Sequence, residues 1–308
     1  GIVTFQAGRI MEAAHESMNQ APRNPDRAGP SPRPVAGIFD SGLGGLAVVR
    51  ELSRRKSSIP FGYIADQAHA PYGHRSLLEL RRFSEGITEF LLEQHVRVVV
   101  IACNTASAAA LYGLRELHPA LSFVGMEPAV KPAAERTRTG KIGVIATKAT
   151  FEGEPYAGVL KRFARDVEVF TRICPEFVRL VEDGEAESGK AREIVQDVIE
   201  PLLAQGVDQL ALGCTHYTFL APLIRRACDG RAQVIDPAAA VAKQLERVVA
   251  ELDVDLPANP PGCGANGFFT TGEPARFAAA ASRVLNAPVT ARRLRWEPCK
   301  GFAHLYQE

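Results

Sequence analysis

Two short segments of the chain each place a cysteine at the end of an apolar run. Cys103 ends the segment VVVIAC, and Cys214 ends the segment QLALGC. Polar side chains follow directly in both segments: Asn104 and Thr105 in the first, Thr215 and His216 in the second. A thiol between a strand and the start of a helix is predicted to have a lowered pKa and to react as a thiolate. Two such thiols indicate one active site with a thiol on each side of the substrate.

The remaining cysteines invite a different interpretation, because a single free cysteine is most often a small buried hydrophobe. That interpretation suits the four others: Cys174, Cys228, Cys263 and Cys299. No two cysteines have the C-x-x-C spacing that is typical of zinc ribbons and thioredoxin-like sites. His216 lies two residues after Cys214, where it can exchange the thiol's proton, and Asp40 is the candidate for the same part at Cys103.

Alternating strand and helix patterns are predicted to position these thiols. Eight short apolar runs are predicted to be strands: 35–40, 60–65, 96–103, 121–126, 141–147, 166–173, 208–214 and 232–236. Amphipathic stretches such as 76–94 and 190–205 are predicted to be helices between them. Near-continuous apolar strands separated by helices indicate parallel sheets with helices on their faces. Such sheets bind ligands beyond the carboxyl ends of their strands, so we expect the strand-ending residues to meet in one cleft. Those residues are Asp40, Cys103, Thr147 and Cys214.

The eight predicted strands fall into two sets of four with matching landmarks. In the first set Cys103 lies 63 residues after Asp40, and an acid-Pro-Ala segment begins 24 residues later. In the second set Cys214 lies 67 residues after Thr147, and another acid-Pro-Ala segment begins 22 residues later. This agreement favours duplication of a whole unit over a chance match. We therefore predict an α/β fold of two pseudo-symmetric lobes, each a parallel sheet covered by helices, with the active site in the cleft between them.

Two loops after predicted strands carry further candidate groups. The segment DSGLGG, from Asp40 to Gly45, joins a carboxylate to glycines that permit close approach of the backbone to a ligand. It has neither the G-x-G-x-x-G nor the P-loop pattern, so a nucleotide phosphate site is not expected. The segment DQAHAPYG, from Asp66 to Gly73, predicts no more than a surface turn when it is taken alone.

Composition and charge exclude several classes of protein. The chain has 308 residues, of which 46% are hydrophobic and 23% charged, a balance typical of globular proteins. A net charge of +1 argues against nucleic acid binding, and no apolar run is long enough for a membrane helix. Residues 1–34 contain five prolines among Arg, Asn, Asp and Gly, and we expect a disordered N-terminal extension that is not a secretory signal. Thiols that stay reduced predict a cytoplasmic location.

A set of short motifs extends from about residue 35 to near the C-terminus. They are FDSGLGGL, PYG, ACNTAS, GMEPAVKPA, GVIATKAT, CPEFVRLVE, LGCTHYTFL and NGFFTTGEPARF. Each alone is unspecific, but the combination resembles the glutamate racemases of the aspartate/glutamate racemase superfamily. One departure lies at Gln67 and His69, where that family more often has Thr and Arg. It alters the polarity of the loop and leaves the two cysteines untouched.

The resemblance implies racemisation of L-glutamate to D-glutamate, without a cofactor or metal, for peptidoglycan synthesis. One thiolate would remove the α-proton, and the opposite thiol would deliver a proton to the other face. By motif match the catalytic residues are Cys103, Cys214, Asp40, Glu182 and His216. By the same match the substrate-binding residues are Asp40, Ser41, Tyr72, Gly73, Asn104, Thr105, Thr215 and His216, with Thr147 and Thr150 as further candidates. A homodimer is left open.

The resemblance also implies a discontinuous first lobe, because the C-terminal part returns to it. The predicted first lobe is 35–130 plus 236–308, and the predicted second lobe is 131–235.

Three alternatives stay open at this point. The first is a racemase acting on aspartate or another amino acid, since the sequence does not give the size of the pocket. The second is a redox or metal-binding protein that uses Cys103, Cys214 and His216, although zinc requires a fourth ligand in a closed geometry. The third is a two-lobed binding protein, which has no need for paired thiols.

Overall fold

A computed structural model describes residues 34–257, 267–298 and 303–307. The extension predicted to be disordered, residues 1–34, lies outside the described residues apart from Pro34, as do Cys263 and Cys299. The chain forms an α/β fold with two sheets. Within the described ranges, no helix has the length and apolar character needed to cross a membrane.

The first sheet has seven strands in the order β11-β10-β9-β2-β1-β3-β4. Its strands are β1 (Ala36–Asp40), β2 (Phe61–Ala65), β3 (Val98–Ile101), β4 (Ser122–Gly125), β9 (Gly267–Thr270), β10 (Ala291–Pro298) and β11 (Ala303–Gln307). All neighbours are parallel except β10 and β11, which pair antiparallel. The prediction of parallel pairing is confirmed for the predicted strands and does not extend to this edge, where neither β10 nor β11 was predicted. Only four residues separate Pro298 from Ala303, too few for a parallel crossover, which needs a dozen residues or more.

The second sheet has four parallel strands in the order β6-β5-β7-β8. Its strands are β5 (Lys141–Ala146), β6 (Glu168–Ile173), β7 (Gln209–Gly213) and β8 (Gln233–Ile235). This order repeats the order β2-β1-β3-β4 of the first sheet, as duplication of one unit would produce. The predicted lobe boundaries, between 130 and 131 and between 235 and 236, fall between strands of the two sheets and stay a prediction.

Helices cover both faces of both sheets. They are α1 (Leu46–Arg54), α2 (Leu77–Glu93), α3 (Asn104–Leu117), α4 (Val130–Arg136), α5 (Lys148–Glu152), α6 (Glu154–Phe163), α7 (Pro175–Glu182), α8 (Gly189–Ala204), α9 (Tyr217–Cys228), α10 (Ala238–Ala250) and α11 (Pro274–Leu285), with a 3₁₀ turn at Tyr72–His74. The predicted helices 76–94 and 190–205 correspond to α2 and α8. Helix α2 begins with a capping box, in which Ser76 accepts from the Glu79 N–H and the Glu79 carboxylate accepts from the Ser76 N–H.

Burial on both faces explains the continuous apolar strands. Neighbouring residues Ile38 and Phe39 in β1 are both fully buried but belong to different apolar clusters, one on each face of the sheet. In the second sheet Val144 and Ile145 of β5 divide between two clusters in the same way. Consecutive strand residues point to opposite faces, so a strand with helices on both faces needs apolar residues at every position.

All eight predicted strands are present, but β9, β10 and β11 lie outside the predicted set. Strand β10 has the sequence ARRLRWEP, in which Leu294 is buried and Trp296 half-buried between charged neighbours. This alternation is the signal of a strand near a sheet edge with one apolar face. A search limited to continuous apolar runs does not detect it.

Candidate active site

The carboxyl ends of the central strands bring the predicted site residues together. Asp40 is the last residue of β1, and Cys103 follows the neighbouring strand β3. The register pairs Phe39 with Ile101, so Asp40 and Cys103 leave the sheet at the same edge, and their side chains are hydrogen-bonded. In the second sheet Thr147 follows β5, and Cys214 follows its neighbour β7. The strand-end cleft expected from the sequence is therefore present.

A cavity of about 180 Å³ lies between these strand ends and is lined by both cysteines. From the predicted site residues the lining includes Ser41, Tyr72, Gly73, Cys103, Thr105, Thr147, Cys214 and His216. A larger cavity, of about 1240 Å³, has neither cysteine in its lining. The smaller cavity is therefore the candidate active site.

Five predicted residues do not line this cavity: Asp40, Asn104, Thr150, Glu182 and Thr215. Thr150 is hydrogen-bonded to the lining residue Thr147, with 2.9 Å between the hydroxyl oxygens. Asp40, Glu182 and Thr215 contact other site residues, as described below. Asn104 is buried at the first turn of α3, and neither its amide nitrogen nor its amide oxygen has a partner within the described part of the chain. An unpaired buried amide is costly, so its presence fits a residue whose partner arrives with a ligand.

Cys103 shares its surroundings with a buried carboxylate. Asp40 is fully buried and is hydrogen-bonded to the Cys103 side chain. The Ser41 N–H donates to Asp40 Oδ1 at 2.7 Å, and the Gly45 N–H donates to Oδ2. Burial raises the pKa of Asp40, and the lowering effects of His216 and of these hydrogen bonds are too small to reverse it. Asp40 is therefore suited to take a proton and return it.

The pKa of Cys103 differs from the sequence prediction. Burial and the negative charge of Asp40 raise the pKa of the Cys103 thiol well above its usual value. Cys103 is the N-cap of α3 and accepts from the Ala106 N–H, with 3.5 Å between nitrogen and sulfur. That hydrogen bond lowers the pKa as predicted, but the desolvation and the nearby carboxylate outweigh it. The prediction of a lowered pKa is therefore wrong for Cys103, which rests as a thiol.

Cys214 shares its surroundings with a histidine. His216 Nδ1 lies 3.8 Å from Cys214 Sγ, and His216 Nε2 lies 2.6 Å from Glu182 Oε1. Burial lowers the pKa of His216, but the hydrogen bonds to Cys214 and Glu182 raise it well above its usual value. Burial raises the pKa of Glu182, and the bond to His216 together with the Leu43 N–H brings it below its usual value. Glu182 and His216 are therefore an ion pair directed at Cys214.

Two hydrogen bonds join the two thiol environments across the cleft. The Thr215 hydroxyl, from the second sheet's side, donates to Asp40 Oδ2 at 3.2 Å. In the opposite direction, the Leu43 N–H donates to Glu182 Oε1 at 3.0 Å. The carboxylates of Asp40 and Glu182 are thus each hydrogen-bonded to a group of the other lobe.

The structure explains the glycines of the DSGLGG segment by contacts that the sequence did not show. A Cβ on Gly42 would overlap the Glu182 carboxylate, and one on Gly44 would overlap the Thr215 hydroxyl. The glycines therefore permit close approach of the protein's own acid–base groups from the other lobe. The sequence suggested only close approach to a ligand.

Several lining residues were not among the predicted ones. They are Pro71, His74, Lys148, Ile173, Pro175, Val178 and Arg179. Pro71 belongs to the PYG motif and Arg179 to the CPEFVRLVE motif, so proximity to a motif was the available signal. These residues are far apart in the chain, so the sequence does not indicate that they line the same cavity. As to metals, the described ranges contain no group of three or more His, Cys, Asp or Glu side chains arranged to hold an ion.

The fold and site define a class of protein: a two-lobed α/β enzyme with a thiol from each lobe in one cavity. Residues 47–245 match the model of the Asp/Glu/hydantoin racemase family. A glutamate racemase of Pseudomonas aeruginosa is 49% identical over 216 residues, which cover 70% of this chain and 82% of that protein. One from Stutzerimonas stutzeri is 43% identical over 242 residues, 79% of this chain and 90% of that protein. The chain belongs to the Asp/Glu/hydantoin racemase family, and it is an isomerase.

Solved structures agree with the family assignment. Glutamate racemase isoform RacE1 from Bacillus anthracis has a TM-score of 0.74 and 31% identity, covering 84% of this chain and 96% of that one. The Escherichia coli glutamate racemase, solved in complex with L-glutamate and the activator UDP-MurNAc-Ala, has a TM-score of 0.74 and 26% identity, covering 86% and 99%. The resemblance and the two-lobed fold predicted from the sequence are confirmed.

Proposed function

We propose that this racemase interconverts L- and D-glutamate without a cofactor, using Cys103 and Cys214 as the two acid–base groups. The observation that carries the proposal is the shared cavity, in which each thiol has its own proton partner from its own lobe. The substrate is proposed from the relatives: those cited above are glutamate racemases, and the Francisella tularensis enzyme, at 27% identity, was solved with D-glutamate.

The proposed reaction exchanges one proton on each face of the α-carbon. The thiolate of one cysteine takes the α-proton, and the electron pair of the broken C–H bond moves into the adjacent carboxylate. The opposite cysteine then gives its S–H proton to the other face, and the pair returns to form the new C–H bond. The first cysteine ends as a thiol and the second as a thiolate, so the enzyme is left ready for the reverse reaction.

The partners of the two thiols make these protonation states accessible. His216, held as an imidazolium by Glu182, stabilises a thiolate on Cys214 by donating to its sulfur. Asp40 accepts the Cys103 proton when that cysteine has to act as the base. General acid–base groups of this kind each contribute about 10²–10⁴-fold to the rate.

Further stabilisation comes from groups that face the developing charge. Thr105 lines the cavity at the start of α3, beside the unpaired amide of Asn104. The free N–H groups at a helix N-terminus attract negative charge, and preorganised donors of this kind stabilise an enolate-like carboxylate. We assign Asn104 and Thr105 to substrate contact on this basis, and Ser41, Tyr72, Gly73, Thr215 and His216 by motif match.

The test is racemisation measured in deuterated, reducing buffer after exhaustive dialysis. We expect L-glutamate to lose its circular dichroism and to gain deuterium at Cα with no added cofactor. Aspartate, alanine and serine, assayed in parallel, are expected to react far more slowly. The Cys103→Ala/Cys214→Ala double variant, purified identically, controls for contaminating racemases. A folded wild-type protein that leaves L-glutamate unchanged contradicts the proposal, and faster turnover of aspartate moves the substrate assignment to that amino acid.

We further propose that the product serves peptidoglycan synthesis in the cytoplasm. The support is the relatives' shared name together with the resemblance of the motifs. A strain lacking this protein, and any other source of D-glutamate, is expected to require external D-glutamate for growth. Restoration of growth by the wild-type gene, and not by the double-cysteine variant, would link that requirement to the reaction.

A further inference from the structure

The loop between Asp66 and Arg75 forms one wall of the cavity that contains both thiols. Pro71, Tyr72 and Gly73 all belong to the lining. We propose that Asp66 is a positioning residue that fixes this wall to the C-terminal strands and thereby sets the affinity for substrate. The proposal rests on the proposed function, because it concerns glutamate binding at the same cavity.

Asp66 is a buried carboxylate surrounded by donors. Its exposed fraction is 0%, and it lies directly after β2. Four side chains place a donor atom on its two oxygens: Tyr72 Oη at 2.6 Å and His69 Nδ1 at 2.9 Å on Oδ2, and Thr271 Oγ1 at 2.8 Å and Trp296 Nε1 at 2.7 Å on Oδ1. A buried charge is tolerated when its acceptor positions are filled in this way.

The two oxygens of Asp66 join different parts of the chain. Tyr72 and His69, on Oδ2, belong to the loop that forms the cavity wall. Thr271 and Trp296, on Oδ1, belong to the segment that contains β9 and β10. Residues 267–307 lie beyond 47–245, the part that matches the family model. The C-terminal segment therefore holds a wall of the cavity, and Thr271 belongs to its NGFFTTGEPARF motif.

Backbone and amide contacts strengthen the same attachment. The Ala68 N–H donates to the Thr271 hydroxyl at 2.9 Å, and the Thr270 hydroxyl donates to Gln67 Oε1 at 2.9 Å. Gln67 is in turn hydrogen-bonded to Glu182. The loop is thus attached to the C-terminal segment on one side and to the ion pair behind Cys214 on the other.

His69 completes the network from outside the cavity. Its ring is stacked on Phe83 with 3.8 Å between centroids, and it meets Trp296 edge-on at 5.3 Å. Gln67 and His69 are the two positions at which the loop departs from the usual family pattern, and both take part in these contacts. The departure therefore concerns how the wall is held.

Tyr72 shows why the attachment matters for substrate. Its hydroxyl has one proton, and that proton is donated to Asp66. The Tyr72 hydroxyl therefore has no proton to donate to a ligand, and the position of the Tyr72 ring depends on Asp66. At Gly73, the next residue, any side chain would crowd Thr147 of the other lobe. An added Cβ would lie 3.2 Å from Thr147 Cβ. A small displacement of the wall therefore changes the width of the cavity.

The test uses a matched pair at Thr271. Thr271→Val removes the hydroxyl that donates to Asp66 and accepts from Ala68, whereas Thr271→Ser keeps it. For L-glutamate we expect Thr271→Val to raise KM about tenfold or more, with a smaller change in kcat, because a hydrogen bond to a buried charge is lost. Thr271→Ser is expected to stay within about twofold of wild type, since it keeps both contacts.

Trp296→Phe is the second variant, and it serves if Thr271→Val does not fold. It keeps an aromatic ring beside His69 and removes the donor to Asp66 Oδ1, so the same rise in KM is expected. Asp66→Asn supplies a spectroscopic readout, because Trp296 is the chain's single tryptophan and its indole N–H binds this carboxylate. We expect that substitution to shift the fluorescence emission together with KM.

The outcomes separate the two proposals. A wild-type protein without glutamate racemisation overturns the proposed function and this inference with it. If the wild type is active and Thr271→Val has the same KM as Thr271→Ser, only the positioning role is overturned. The same holds for Trp296→Phe where it replaces Thr271→Val. Equal losses of kcat in all variants, with KM unchanged, also overturn it, because they indicate a general loss of folded protein.

Discussion

The two thiols occupy matching positions in matching sheets, yet their surroundings differ. Cys103 has a buried carboxylate, Asp40, directly beside it, and its pKa is raised. Cys214 has His216, which is backed by Glu182 in an ion pair. One thiol thus has a partner that takes protons, and the other has a partner that donates them. Equivalent places in a duplicated fold can therefore carry opposite proton chemistry, because a few neighbouring side chains decide it.

The largest expected effect comes from removing either thiol. We expect Cys103→Ala and Cys214→Ala each to lower the rate of racemisation by about 10³-fold or more, since inversion needs an acid and a base on opposite faces. Each variant should still exchange the α-proton of one enantiomer with deuterated solvent, and the two variants should act on opposite enantiomers. Proton NMR of separate L- and D-glutamate samples measures this.

The control for that experiment is Cys228→Ala, which removes a buried cysteine of α9 outside the cavity. It is expected to retain racemisation. If both single variants exchanged the same enantiomer, the two thiols would not face opposite sides of the substrate, and the two-base assignment would be wrong.

A smaller effect is expected at the partners, and it should be unequal. Asp40→Asn removes the group that takes the Cys103 proton, so kcat is expected to fall by about 10²–10⁴-fold. Glu182→Gln acts on Cys214 only through His216 and removes one charged hydrogen bond, so a loss of about tenfold to a hundredfold is expected. Steady-state kinetics in both directions measure the difference. Equal losses of kcat would contradict the distinction between Asp40, which exchanges a proton with Cys103 directly, and Glu182, which acts on Cys214 through His216.

The smallest effect concerns stability, and it separates the two environments by its pH dependence on the acid side, below pH 4.5, the usual pKa of Glu182. The pKa of His216 is raised, so its contribution is complete below its usual value of 6.5 and is lost as pH rises through the raised value. The pKa of Glu182 is lowered, so its contribution is present above its usual value of 4.5 and is lost as pH falls through the lowered value. We expect His216→Gln to cost most between pH 4.5 and 6.5.

Asp40→Asn gives the opposite trend only on the acid side, because a raised pKa, in Asp40 as in His216, makes the wild type lose stability as pH rises. Because the pKa of Asp40 is raised above its usual value of 3.8, its ionisation costs stability progressively as pH rises above that value. The variant should therefore gain stability relative to wild type with rising pH. Urea unfolding in reducing buffer, followed by circular dichroism over a pH series, measures both trends. Parallel trends below pH 4.5 would contradict the assigned environments, because there only the His216–Glu182 pair gains stability as pH rises.

The core of the fold could be predicted because burial leaves a local mark. Strands buried on both faces, such as β1 and β5, must be apolar at every position, and the sequence shows them as continuous runs. The strand β10 was missed because its apolar residues alternate with arginines. The antiparallel edge of β11 depends on a short connection that composition does not show.

The residues of the candidate site could be predicted from the sequence, but their spatial arrangement could not. Cys103, Cys214, Asp40, Glu182 and His216 were named from motifs, and the structure places them around one cavity. The raised pKa of Cys103 was not foreseen, since the helix N-terminus is visible in the sequence and the desolvation is not. Asp66 and Trp296, 230 residues apart, have no sequence signal that connects them.

The sequence by itself determined the two sets of strands, the strand-end cysteines and the polar residue after each one. These properties are local, because they follow from the period of apolar residues and from side-chain type. Only the tertiary structure decided which groups meet across the cleft: Thr215 with Asp40, Leu43 with Glu182, and the C-terminal strands with the wall at Tyr72. Proton affinity depends on burial and on charges within a few ångströms, and those distances exist only once the chain has folded.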